Sequence, residues 1–416
     1  MSKHLAVATA LVLVVAACSQ PSPDPPTPAA TDTTNTTTAN TITMPPPAPP
    51  TTPGGDLLPA QDIPLQLTSM AEIWETDFSR AVIDLNELLV GLPSPDPRDL
   101  IRPIDQPVFE AVDTSTWLAD REPGVLVDID DDVRFYPLSV LTRHEIVNDE
   151  IAGIPVAVTY CPLCNTAVVF DRRFEGTTLR LGVSGLLRNS DLVMWDNVTQ
   201  TLWQQITGEA IVGTHAGKSL TRLGSGIVRW ADFKASNPDG LVLGPDQGFG
   251  EIYGRNGYAF YSSRPAPYAF YTDSIDPRFP AMSRVVGVRI GDTDKAYPFG
   301  PLSQARVAND EIAGAPIVVL WGAADTADAL DGSIIATSQA IGTGIAYDPV
   351  VNGETLTFEA VSDTEFVDHQ TGTTWTILGE AIDGELVGTQ LELIPHTNEF
   401  WFAWQAFFPD GEVWAP

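Results

Sequence analysis

Two cysteines three positions apart, Cys161 and Cys164, are the residues in this chain best suited to chemistry. They sit in Val156-Ala157-Val158-Thr159-Tyr160-Cys161-Pro162-Leu163-Cys164-Asn165, an apolar strand-like run that ends in a Cys-x-x-Cys turn. That spacing sets both sulfurs on one side of a tight turn, where they can close a strained disulfide or hold one metal ion. Proline in the second position resembles thiol oxidoreductases, in which Cys161 would attack and Cys164 resolve. No βαβ run surrounds the pair, however, and no helix follows Cys164 to lower a thiol pKa, so a thioredoxin-like fold is not expected. A closed structural zinc site needs four ligands, and there is one Cys pair. Two thiolates with His144 would give three donors and an open position, which suits copper(I) or a catalytic zinc. His144 precedes the strand leading to Cys161, so a hairpin would bring it alongside; Met194 and His215 are weaker candidates for a fourth ligand. Three readings stay open: a copper or zinc site of Cys161, Cys164 and His144, a thiol–disulfide exchange pair, or a binding module stapled by a disulfide.

The remaining cysteine has another use. Lys3 and His4 precede an apolar run from Leu5 to Val15, which closes with Val15-Ala16-Ala17-Cys18. This looks like a bacterial lipobox, which implies cleavage before Cys18 and lipid on its sulfur. The expectation is a membrane-anchored lipoprotein outside the cytoplasm, in a compartment that permits disulfides. From Cys18 to about residue 55 the chain is rich in Pro and Thr and cannot bury a core, so it reads as a disordered stalk spanning on the order of 100 Å when extended. The 416 residues carry 54 acidic against 22 basic side chains, a formal net charge of −32. So acidic a surface repels phosphate backbones and excludes nucleic acid as a partner. No serine nucleophile elbow, phosphate loop, His-Glu-x-x-His motif or dinucleotide fingerprint is present, and no reaction follows from the sequence.

The elements that must position the thiols are mostly β. Ser69 to Leu89 is expected to form one amphipathic helix, with Ser69 as cap, Glu72 in the capping box, and Ile73, Phe78, Val82, Leu85 and Leu89 at helical spacing. Thereafter short alternating or apolar runs are separated by Asp, Gly, Asn and Pro, a predominantly β pattern with some helix, mainly β in an α+β setting. The chain also repeats itself. Asn148-Asp149-Glu150-Ile151-Ala152-Gly153 returns as Asn309-Asp310-Glu311-Ile312-Ala313-Gly314, and Tyr136-Pro137 as Tyr297-Pro298. Trp203 matches Trp375, Gly208-Glu209-Ala210-Ile211 matches Gly379-Glu380-Ala381-Ile382, and Val212-Gly213-Thr214 is matched to Val387-Gly388-Thr389. This reads as two tandem degenerate copies of one β-rich unit. The organisation is then a signal peptide over 1–17, anchor and stalk over 18–55, a helical lead-in over 56–104, a first unit over 105–245, a connection over 246–279 and a second unit over 280–416.

Two copies act as an internal control, because residues shared by both are explained by folding. Cys161 falls opposite Gly322, Cys164 opposite Asp325, His144 opposite Ala305 and, in this alignment, His215 opposite Gln390. The first unit therefore carries the candidate chemistry. Arg143-His144-Glu145-Ile146-Val147-Asn148-Asp149, Tyr160-Cys161-Pro162-Leu163-Cys164-Asn165, Val169-Phe170-Asp171-Arg172 and Leu186 to Asp196 together resemble the DUF3179 family, a prokaryotic family built on a Tyr-Cys-Pro-Leu-Cys core. The resemblance implies that His144, Cys161 and Cys164 are characteristic residues and implies no activity; Arg143 stands where the family usually has tryptophan.

Overall fold

Short runs of β-branched and aromatic residues punctuated by Asp-Gly and Asn-Gly-like turns leave the backbone little choice but antiparallel pairing. The computed structural model describes residues 52–53, 55–250 and 252–416. Strand accounts for 39% and helix for 12%, so the fold is mainly β. The expected signal peptide, Cys18 and nearly all of the expected stalk lie outside the described residues.

Each half of the chain lays down the same order of elements. Strands Pro123–Ile129 and Asp132–Pro137 form a hairpin, helix Leu138–His144 follows, and Ile146–Ile151, Ile154–Cys161 and Thr166–Asp171 form a meander. In the second half Arg284–Ile290, Thr293–Pro298, helix Phe299–Ala305, Val307–Ile312, Ala315–Gly322 and Thr343–Asp348 do the same. Register agrees: Ile151 faces Ile154 as Ile312 faces Ala315. A second sheet follows in each half, and in both a buried aspartate organises its turn. Asp196 accepts Trp203 Nε1 at 3.0 Å, and Asp368 accepts Trp375 Nε1 at 3.0 Å. The glycine after each fourth strand shifts the sequence alignment. Gly213 (φ +121°) and Gly384 (φ +107°) both lie so close to a threonine, Thr201 and Thr373, that a Cβ would clash. The structural partner of Gly213 is therefore Gly384 and not Gly388, and His215 corresponds to Leu386, not Gln390. His215 and Leu386 each donate a backbone N–H to that threonine's hydroxyl.

The cores do not stop at the boundary between halves. One cluster joins Phe135 and Trp230 to Val318, Ile345, Tyr347 and Trp375; another joins Cys161 and Cys164 to Tyr261, Phe400, Trp401 and Phe402. The described residues form one compact unit.

The expected helix over 69–89 is corrected. α-Helix is confined to Thr68–Ile73, a single 3-10 turn recurs at Leu85–Glu87, and Trp74 turns the chain to an extended conformation. From there Phe78, Ala81, Ile83, Leu85 and Leu88 bury against Leu186, Val193, Leu202, Ile211 and Val212. The physical reason is competition for the backbone. Val82 N–H donates to Ile211 O at 3.0 Å and Ala81 bridges Val212, so the segment extends the second sheet instead of bonding to itself. Spacing that suits one helical face serves equally here because the chain twists across the sheet.

Arg284 and Asp328 form the most buried ion pair described, 2.7 Å apart with side-chain exposures of 9% and 0%. Arg284 also lies over the ring of Phe400, 5.0 Å from its centroid. Arg284→Met strands the Asp328 charge and is expected to lower unfolding stability by about 3 to 4 kcal/mol. Arg289→Met at the solvent-exposed Arg289–Asp294 pair should lower it by less than about 1 kcal/mol. Urea denaturation of both variants at neutral pH checks the contrast, and equal losses would contradict it.

Candidate metal centre

The Cys-Pro-Leu-Cys segment is a hairpin turn. Strand Ile154–Cys161 pairs with Thr166–Asp171, Cys161 facing Thr166, and the four residues between them make the reversal. Asn165 takes φ +58°, a left-handed conformation that asparagine tolerates. No helix begins at Cys164, so neither thiol sits at a helix N-terminus. Three groups from outside the hairpin clamp the turn. Tyr261 Oη of the connection donates to Leu163 O at 2.8 Å, Phe400 N–H of the second half donates to Cys164 O at 2.9 Å, and Asn165 Nδ2 donates to Asn398 O at 2.7 Å. The first half carries the thiols, and the second half and the connection hold them in place.

Both cysteines are free and buried, Cys161 at 2% and Cys164 at 0% exposure. The third member of the group is Asp191. One donor atom from each of Cys161, Cys164 and Asp191 lies within 4.8 Å of the other two. Asp191 is fully buried at the start of strand Asp191–Asp196; its Oδ2 accepts Gln204 Nε2 at 2.6 Å and Ile206 N–H at 3.0 Å. Its Oδ1 has no hydrogen-bond partner among the described residues. Burial pushes Asp191 up to about 7 against the hydrogen bonds of Ile206 and Gln204 and the nearby Cys161 thiol, and pushes both thiols above their usual range. Cys161 Sγ lies 3.7 Å from Ser190 O.

His144 does not join this group. It ends helix Leu138–His144, with Nδ1 2.7 Å from Arg102 O and Nε2 2.9 Å from Tyr253 Oη, and its ring packs on Phe249. The hairpin does bring this part of the chain beside the strand that ends in Cys161, Ile146 facing Thr159, yet the ring nitrogens of His144 are engaged by the lead-in and the connection. His215 packs between the rings of Phe174 and Trp203, 3.6 Å from Glu175. Met194 is fully buried in the thiol-containing core, in a strand paired to Val183 and Trp203.

Two acids beyond Asp191 face the same interior. Glu145 caps helix Leu138–His144 at φ +58°, its N–H donating to Leu141 O and its carbonyl accepting Tyr160 N–H, both at 2.8 Å. Its carboxyl is 7% exposed and takes no hydrogen bond from any described residue. Burial, reinforced by the charge of Asp191, pushes it up to about 8. Glu399, fully buried, is pushed up to about 7 by burial, and neither of its oxygens has a hydrogen-bond partner among the described residues.

The second half shows what the same frame does with a cation. Arg306 replaces Glu145 in the left-handed cap, at φ +67°, and Ser362-Asp363 stands where Ser190-Asp191 does, each aspartate five residues ahead of the matched Asp368 and Asp196. Arg306 Nη2 donates to Ser362 O at 2.8 Å and Asp363 O at 3.0 Å, with Nη1 3.8 Å from Asp363 Oδ1. In the first half no salt bridge reaches Asp191 among the described residues. The sequence reading did not single out Asp191, which lies 27 residues beyond Cys164 in so acidic a chain. Comparing charges at matched positions, Glu145 against Arg306, was the available signal.

In the protein without metal, Asp191 and Glu145 carry folded-state values above their unfolded values of 3.8 and 4.5. Their contribution is fully present below about pH 4 and is lost as pH rises through about 7 to 8. Metal-free protein should therefore lose stability between about pH 4 and 8, and Asp191→Asn and Glu145→Gln should each flatten that fall. Urea midpoints across the range measure it; an unchanged slope in both variants would refute the assignment.

No curated protein and no solved structure matches the chain. The family described as "Protein of unknown function (DUF3179)" matches residues 98–411, from ahead of the first hairpin to the last turn. The chain belongs to the DUF3179 family.

Proposed function

We propose that this protein binds one zinc ion through Cys161, Cys164 and Asp191, and that it does so outside the cytoplasm, tethered to a membrane through lipid on Cys18. The observation that carries the reading is the buried donor trio with an unpartnered Asp191 oxygen, at a place where the second half seats an arginine. Two thiols and three carboxyls share this interior, and a cation relieves the penalty of ionising them in low dielectric. A carboxylate beside two thiolates is a donor set that suits zinc and is too hard for copper(I), which prefers sulfur throughout. The sequence expectation of copper or zinc with His144 is thereby narrowed to zinc with Asp191. Three protein donors are one fewer than a closed structural site uses, which leaves a position for water or substrate. Zinc bound there would act as a Lewis acid and lower the pKa of a bound water. Glu145, unpartnered and close enough to feel Asp191's charge, is the residue placed to hold a proton beside it. Thiol–disulfide exchange fits less well, since it relies on an accessible thiol of lowered pKa, and burial works against both conditions here. The likeness of the two halves supports a tandem duplication in which Arg306 fills the second unit's version of the site.

Elemental analysis of the chain from residue 56 onward, reduced and reconstituted, is expected to give about one zinc per chain. Cys161→Ser/Cys164→Ser should abolish it, and Asp191→Asn should weaken zinc by roughly 10- to 100-fold while His144→Gln leaves it within about threefold. Because thiol and carboxyl protons must leave, affinity should rise steeply with pH from about 6 to 9. Absence of metal after reconstitution, or a His144 effect larger than that of Asp191, would sink this reading.

A further inference from the structure

Beside the thiol turn lies a cavity of about 170 Å³. Its walls are largely apolar: Leu163 from the thiol turn, Val183 and Leu192 from the second sheet, and Tyr258, Tyr268 and Phe270 from the connection. Glu145 is the one carboxylate in the lining. That residue is more than nine-tenths buried, its carboxyl receives no hydrogen bond from a described residue, and its backbone is fixed on both its N–H and its carbonyl. The aligned position in the second half is Arg306, whose guanidinium meets Asp363 and three backbone carbonyls. The first half thus keeps the aspartate, substitutes a second acid for the cation, and opens a cavity where the acid points.

We propose that this cavity is a binding site for a small organic cation, an ammonium on an apolar or aromatic body, with Glu145 as its counter-ion. The volume suits the ligand, since a cavity of about 150 Å³ accommodates benzene. The aromatic walls suit it as well, because tyrosine and phenylalanine faces attract a cation that has left water. A carboxylate in an apolar wall requires a positive partner, and the ligand supplies what Arg306 supplies in the other half. An anionic ligand is excluded by Glu145 and Asp191 together. This site is distinct from the proposed zinc ligands and does not require the metal.

The test is calorimetric titration of the chain from residue 56 onward with benzylamine and with its neutral counterpart benzyl alcohol, at about pH 8.5, where the Glu145 carboxyl is ionised. Saturable one-to-one binding is expected for benzylamine, with benzyl alcohol weaker by about tenfold or more. Glu145→Gln should erase that preference while leaving the alcohol's affinity in place. Leu187→Trp, which enlarges a side chain on the opposite wall, should remove binding of both. Cys161→Ser/Cys164→Ser should keep the benzylamine preference, which separates a failure of the zinc reading from a failure of this one. Equal affinity for amine and alcohol, no saturable binding, or a preference that survives Glu145→Gln would each overturn the proposal; the amine–alcohol comparison on the unmodified chain decides it even if a variant fails to fold.

Discussion

A carboxylate taken out of water must find a positive charge, a set of donors or a proton, and this one requirement orders the interior of the protein. Asp328 is fully buried and finds Arg284, Ser262 Oγ and the N–H of Leu330. Asp149 finds Arg134 and Tyr136 Oη, and Asp196 and Asp368 find the N–H groups of their own turns and a tryptophan. In each of these the fold supplies the partner, and the acid anchors two elements to one another. Asp191 has neutral donors and one empty oxygen, the Glu145 carboxyl takes no hydrogen bond from a described residue, and Glu399 has no ion-pair partner among the described residues and keeps both oxygens unbonded. Such a concentration of unanswered acid beside two thiols is the departure from local satisfaction that marks a functional place.

The departure is held in place by structure that is itself well satisfied. The thiol turn receives backbone hydrogen bonds and an aromatic cover from the connection and the second half, which contribute no thiol. The strand His396–Phe400 pairs with Arg284–Ile290 and reaches across to Cys164, so the Arg284–Asp328 pair stiffens the strand that positions the turn. A donor set fixed in this way loses little entropy when a metal enters, and a cavity walled by packed side chains keeps its shape without a ligand. The second half therefore acts as scaffold, and its own version of the site is closed by Arg306.

Much of the frame was legible in the residues. The alternation of apolar and polar positions, the repeated Asn-Asp-Glu-Ile-Ala-Gly turn and the recurring tryptophans follow from local rules of pleat and turn, and the registers of the two meanders agree with them. The thiol turn was legible for the same reason. The segment after Ile73 was not, because apolar residues at spacings that suit a helix also suit a strand-like chain crossing a sheet, and only the presence of Ile211 and Val212 as hydrogen-bonding neighbours decides between them. His144 read as a ligand from proximity in sequence, yet Arg102 O and Tyr253 Oη, far along the chain on either side, engage its ring.

Sequence by itself determined the β class, the family, the acidic character and the identity of the two sulfurs, since each depends on residue type and short-range spacing. Tertiary structure alone decided the third donor and the cavity. Asp191 lies 27 residues beyond Cys164 and is brought back by the pairing of Leu181–Arg188 with Asp191–Asp196. Glu145 becomes significant only when its cap is superposed in thought on Arg306 and its charge is set against Asp191. Burial, and the absence of a partner, are properties of a packed interior; no local pattern of residues encodes what is missing around a side chain.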